Sequence, residues 1–342
     1  MVHSSANCGW SVVRSDLVPC PRKLVPTQLF VAPGPHNYPG ADRLGTYALA
    51  LGDAIWYEQA VTTQDDSSLL APGRAGDLAL LPALEAAGDK PPLSAPAPDK
   101  KNYAQRLSNG LAQLIADALR PTFPDITPDP AGRSQEARVR TATGQKRLDV
   151  KVTDPTLGLL LSVSIKTLSF RDVGTKRYTK NVVRNDHELR GEAAVLHQRQ
   201  PYSVVIGVLF TPVDAATDGR YRKDGSVSTK SSFAHMVDTF RKRTGRGKRP
   251  ILGLHEEAYV NLGGEDVRFD LCERMFLGLY ESEGSRRGLV RFVDVEKAVP
   301  QKGVPSESQT LSFDEFIAAV AREVEIRNES APSWSDDPSD ED

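Results

Sequence analysis

A lysine standing inside an apolar strand constrains this chain more than any other single feature. Residues 158–170 (GLLLSVSIKTLSF) have the length and alternation of a strand, with Leu159, Leu161, Val163 and Ile165 towards a core and Ser162, Ser164 and Lys166 on the opposite face. An ammonium group in such surroundings is costly to desolvate unless a carboxylate or a bound anion compensates it. Residues 146–152 supply a carboxylate: strand alternation puts Leu148, Val150 and Val152 on one face and Arg147, Asp149 and Lys151 on the other. With residues 136–143 ahead of them and a turn at Gly144, these runs read as three consecutive antiparallel strands.

The next helix, expected over residues 186–198, carries a second acid where an apolar residue belongs. Its buried stripe is Leu189, Glu192, Ala193 and Leu196, with Glu188 one turn earlier. The small residues Gly191, Ala193 and Ala194 allow this helix to approach the sheet closely, bringing Glu192 towards Asp149 and Lys166. Each residue also has a purely structural reading. Lys166 can be an edge lysine facing solvent, Asp149 can pair with Arg147 or Lys151, and Glu192 with Arg190 or Arg199. Their conjunction is what favours chemistry. His187 and His197 read as packing or capping residues, and His255-Glu256-Glu257 lacks the spacing of a helical metal motif.

Around this centre the chain divides into residues 1–100, a helical and loop-rich amino-terminal elaboration; 101–213, the core; 214–327, a carboxy-terminal α/β elaboration; and 328–342, an acidic tail expected to be disordered. Helices are expected over 41–59, 77–87 (with Pro82 against it), 102–119, 233–243 and 313–326, a buried strand over 202–210, and apolar runs stand at 275–280 and 289–293. The proline-rich stretch 89–99 has the composition of a linker or a long surface loop. No run approaches the roughly 20 apolar residues of a membrane span, and a secretory leader pattern is missing, so a cytoplasmic protein without membrane contact is expected. Three scattered cysteines argue against a disulfide framework and against zinc.

The order helix, three strands, helix, strand, with an acid on the second strand and Ser164-Ile165-Lys166 on the third, resembles the PD-(D/E)xK, or restriction-endonuclease-like, nuclease superfamily over about residues 102–212. The resemblance implies an α/β fold with a mixed β-sheet flanked by helices and elaborated at both ends. It implies Asp149, Lys166, Glu192 and Ser164 as catalytic positions. Metal binding would fall to Asp149, Glu192, Glu188 and the Ile165 carbonyl, with Mg2+ or Mn2+ as the cofactor. Ser164 departs from the family pattern, which has Asp or Glu there; a glutamate migrated to the following helix takes its place in some members.

The resemblance further implies phosphodiester hydrolysis in double-stranded DNA, a type II restriction or antiphage role, a homodimer, and a cognate methyltransferase as a separate protein. The alternative is the same fold with a degraded site that only binds nucleic acid. The formal net charge of −2 does not announce a nucleic-acid binder, so local basic clusters must serve. Lys176, Arg177, Lys180 and Arg184 flank the site, with Tyr178 among them, and Arg243, Arg246 and Lys248 lie in a second basic segment; these are the expected DNA contacts.

Overall fold

The computed structural model describes residues 78–155, 157–246 and 268–328. The expected helix at 41–59, Lys248, the His255-Glu256-Glu257 cluster and the acidic tail lie outside them. None of the described helices is long and apolar enough to cross a membrane.

Five strands form one mixed sheet in the order β3 (Val150–Asp154), β4 (Gly158–Thr167), β5 (Val204–Pro212), β8 (Arg274–Tyr280), β9 (Val290–Asp294). The three central strands run parallel and the two edge strands antiparallel. Parallel neighbours need crossover connections, and helices supply them. The chain passes from β4 through α3 (Val182–His197) to β5, and from β5 through α4 (Ser232–Phe240) to β8. Every residue of β5 is buried, as a central strand covered on both faces must be. Two short hairpins stand apart from this sheet: β1 (Ala137–Thr141) with β2 (Gly144–Leu148), and β6 (Arg220–Tyr221) with β7 (Val227–Thr229).

The two faces of the sheet carry separate cores. On one, α1 (Leu81–Ala87), α2 (Ala97–Leu119) and α5 (Phe313–Asn328) pack over Val150, Val163, Ile165, Ile206, Val208 and Phe292. On the other, α3 and α4 pack over Val205, Leu209, Met275 and Leu277. Helix α2 starts earlier than its apolar spacing suggests, because Pro98 falls in its first turn, where the missing N–H costs nothing. Its buried stripe of Tyr103, Leu107, Leu111 and Ile115 lies on the sheet, each full side-chain burial contributing on the order of 2 kcal/mol. Pro82 likewise opens α1 instead of breaking it.

Four expectations need correction. The division at residue 100 falls within α2, and α1 packs on that helix so closely that a Cβ on Gly110 would lie 3.0 Å from the Ala83 Cα. The division at 213 cuts one sheet in two: the edge that β5 would expose is paired by β8, so residues beyond 213 complete the core instead of decorating it. The three strands are not one antiparallel series either. A bend at Asp149 breaks the run 146–152 into β2, which pairs only β1, and β3, which joins the sheet. The side chains require the break, since Leu148 is buried in the α3 core while Val150 and Val152 are buried in the α2 core. Finally, the register shifts between Val152 and Thr153, which face Leu161 and Leu159 respectively, so Leu159 turns to the α3 side instead of sharing a face with Leu161.

Candidate active site

The bend between β2 and β3 sets the first functional side chain. The ladder between β3 and β4 starts at Val150 and Val163, which leaves the Ile165 N–H beyond the end of β3. Asp149 takes its place as acceptor: the Ile165 N–H donates to Asp149 Oδ2 at 2.7 Å. The acid is thus tied to the backbone of the residue before Lys166.

Lys166 sits at the carboxyl end of β4 and points to the α3 side, where its Nζ donates to Glu192 Oε1 at 2.9 Å and lies 3.7 Å from Glu188 Oε2. Glu192 falls in the buried stripe of α3 with Leu189, Ala193 and Leu196, as its spacing predicts. Neither Arg190 nor Arg199 pairs with it. Arg190 turns to Asp270 at 3.0 Å, and the second partner of Glu192 is Lys146, at 2.9 Å from the same oxygen. Lys146 is absent from the sequence-based site. The signal for it was its place two residues before Leu148, which puts it on the inward face of β2. Ser164 is buried on the same face of β4 as Lys166. Glu188, half exposed, is held by Arg184 at 2.7 Å.

The electrostatics of the two central carboxylates diverge. Burial pushes Asp149 up to about 6; the Ile165 N–H and Lys166 draw it down, and Glu192 and Glu136 add to the rise. Burial also opposes ionisation of Glu192, but Lys166 and Lys146 outweigh it and hold that carboxyl below the ordinary glutamate value. Burial works against the Lys166 ammonium too, and Glu192, Asp149 and Glu188 together raise its pKa above that of a free lysine. At neutral pH the cluster therefore joins firmly charged Lys166 and Glu192 to an Asp149 poised near its titration point.

Two adjoining cavities open on this cluster, one of about 890 Å3 between α2, the end of β4 and the start of α3, the other of about 530 Å3 beneath the β1–β2 hairpin. Lys166 and Glu188 line both. Among the described residues, no group of three or more His, Cys, Asp or Glu side chains is arranged to hold a metal ion.

The expected DNA contacts separate into two groups. Lys176 is exposed, Lys180 is exposed beside Asp172 at 3.7 Å, and Arg184 is exposed at the mouth of the larger cavity. Arg246 is fully buried on Glu273 at 2.9 Å and cannot reach a phosphate. Arg243 is tied through two hydrogen bonds, at 2.8 and 3.1 Å, to Asp186, and Arg177 donates to the Lys230 carbonyl at 2.6 Å. Tyr178 is buried, its hydroxyl donating to Asp214 at 3.0 Å, so it offers no ring for stacking. These side chains turn inward because α3, the turn after β5 and the segments before α4 and before β8 supply acids and a carbonyl that residue spacing does not show.

Comparison with protein-family models, with curated proteins and with solved structures finds no match in any of the three.

Proposed function

We propose that this chain is a metal-dependent endonuclease acting on double-stranded DNA, in a type II restriction or antiphage role. The observation that carries the reading is the convergence of Asp149, Lys166 and Glu192, from a strand junction, a strand end and a helix, with Lys166 and Glu192 lining an open groove and Asp149 largely buried behind them. A divalent cation fits the donor set in kind, because carboxylate and carbonyl oxygens are the ligands Mg2+ and Mn2+ take. The desolvated charge of Asp149 is also what a cation would compensate. Asp149, Glu192 and the Ile165 carbonyl, which points to the same side of β4 as the N–H bound by Asp149, would hold it, with Glu188 at the rim. Bound there, the cation supplies Lewis-acid polarisation of a phosphodiester.

The chain's own residues do the rest. Lys166, desolvated and fully charged, is a preorganised donor for the charge that develops on a phosphate oxygen during hydrolysis. Its ion pair with Glu192 fixes the ammonium against one wall of the groove. The Asp149 carboxyl, which burial pushes up to about 6, would be held ionised by a cation bound beside it. Arg184 stands at the mouth of the groove, where an entering phosphate backbone would pass, and Lys176 and Lys180 are exposed on the loop that leads to it. A homodimer cutting both strands, with a separate methyltransferase protecting host DNA, belongs to the same reading.

One observation favours the rival reading of a nucleic-acid-binding protein with a degraded site: Glu192 already holds two ammonium groups on a single oxygen. Incubation of unmethylated plasmid with Mg2+ separates the two. Cleavage is expected for the wild type and a loss of at least a hundredfold in Asp149→Ala, Lys166→Ala and Glu192→Ala. DNA left intact by the wild type with Mg2+ and with Mn2+ would reject the enzyme.

A further inference from the structure

The β1–β2 hairpin is a two-stranded ribbon outside the main sheet, and its two faces differ completely. The inward face carries Val139, Thr141, Lys146 and Leu148, the last packed with the α3 core and Lys146 bound to Glu192. The outward face carries Arg138, Arg140, Gln145 and Arg147, all exposed. Pairing in the ladder sets Arg138 directly opposite Arg147 and Arg140 opposite Gln145. Like charges directly opposed across a ribbon destabilise it, so an arginine pair here calls for an external anion.

Internal acids neutralise only one of the three arginines on this face. Glu136 pairs with Arg147 at 2.8 Å, whereas Arg138 reaches only the Gln145 amide oxygen at 3.5 Å, and Arg140 has no acidic partner among the described residues. The tip of the same ribbon, through Thr143 and Gln145, lines the smaller cavity together with Lys166 and Glu192. A strand of five residues extends about 17 Å, and a two-stranded ribbon fits the major groove of duplex DNA.

We infer that the β1–β2 ribbon is a duplex-DNA-binding element, in which Arg138, Arg140 and Arg147 contact the phosphate backbone beside the groove that holds Lys166. The choice of DNA as ligand rests on the nuclease reading. The ribbon anchors the duplex at one end of α3 while Arg184 meets it at the other, so the backbone is drawn across Glu188 and Lys166. The inward residues make this anchoring rigid, because Val139 and Leu148 are fastened to the core of the same helix that carries Glu192.

The test is the salt dependence of duplex DNA binding in EDTA, where no cleavage occurs. Each lost phosphate contact flattens the plot of log affinity against log salt by about 0.9, so Arg138→Gln/Arg140→Gln should weaken binding and reduce the slope by about 2. Arg322→Gln, an exposed arginine on α5 across the sheet, should leave both unchanged. Thermal melting should show the double variant folded, since it removes a repulsion. Wild-type affinity and slope in the double variant would overturn the proposal, as would a wild-type protein that binds no duplex DNA. A flattened slope together with uncut plasmid in Mg2+ would remove the nuclease reading and leave the ribbon's role standing.

Discussion

Helix α3 carries two ionic clusters, at Glu192 and at His197, and their surroundings treat a buried acid differently. At Glu192 the partners are Lys166 and Lys146, a cavity opens on the group, and the neighbouring Asp149 is pushed up to about 6 by burial that its surroundings do not offset. At His197 the cluster is sealed. The imidazole Nε2 lies 3.3 Å from Glu273 Oε2, its Nδ1 meets the Phe269 carbonyl at 3.0 Å, and Glu273 also accepts from Arg246 at 2.9 Å and from the Val205 N–H at 2.7 Å. Burial opposes the Glu273 charge, yet His197, Arg246 and the Val205 N–H hold its carboxyl below the usual value. The His197 cluster satisfies its acid, whereas the Glu192 cluster leaves Asp149 strained by burial, the pattern expected of an acid kept for chemistry.

The sharpest way to break this contrast is Glu273→Ala. It takes the shared carboxylate away from a buried guanidinium, an imidazole and a backbone N–H, and should cost about 3–5 kcal/mol of stability in a denaturant titration. A loss below about 1 kcal/mol would mean the sealed cluster is not structural.

Asp149→Asn should act in the other direction. The folded carboxyl titrates at about 6 against an ordinary 3.8, so the folded state holds a proton that the unfolded chain has released between those values. Wild-type stability contributed by this group is therefore greatest below about pH 4 and is lost as pH rises to about 6. The asparagine, which still accepts from the Ile165 N–H, should be more stable than the wild type at pH 7 by about 1–3 kcal/mol, with the difference vanishing near pH 4. A pH-independent difference in melting between the two proteins would show that Asp149 is not strained by burial.

The smallest effect is expected at Lys146. Lys146→Met leaves Glu192 its stronger partner, Lys166, and Lys146 is itself partly exposed, so the stability loss should stay near 1 kcal/mol. The variant sharpens the comparison because it frees one ammonium from Glu192: divalent cation binding, followed by calorimetry, should tighten. Unchanged or weaker binding would place the cation elsewhere.

Much of this arrangement was legible in residue spacing. The stripe of α3 with Glu192 in it, the fully buried β5, the strand carrying Lys166 and the apolar face of α2 all follow from local periodicity, because each depends on which side chains one element turns towards a core. Those patterns determined that a lysine and two acids needed one another. Periodicity could not decide where Asp149 breaks its strand, since the break answers to two cores on opposite sides of a sheet. Nor could it show that Lys146 shares Glu192, that Arg246 and Tyr178 turn inward, or that β8 and β9 finish the sheet begun more than a hundred residues earlier. Those outcomes depend on partners distant in sequence, and only the packed tertiary structure brings the partners within the few ångströms over which a charge is compensated.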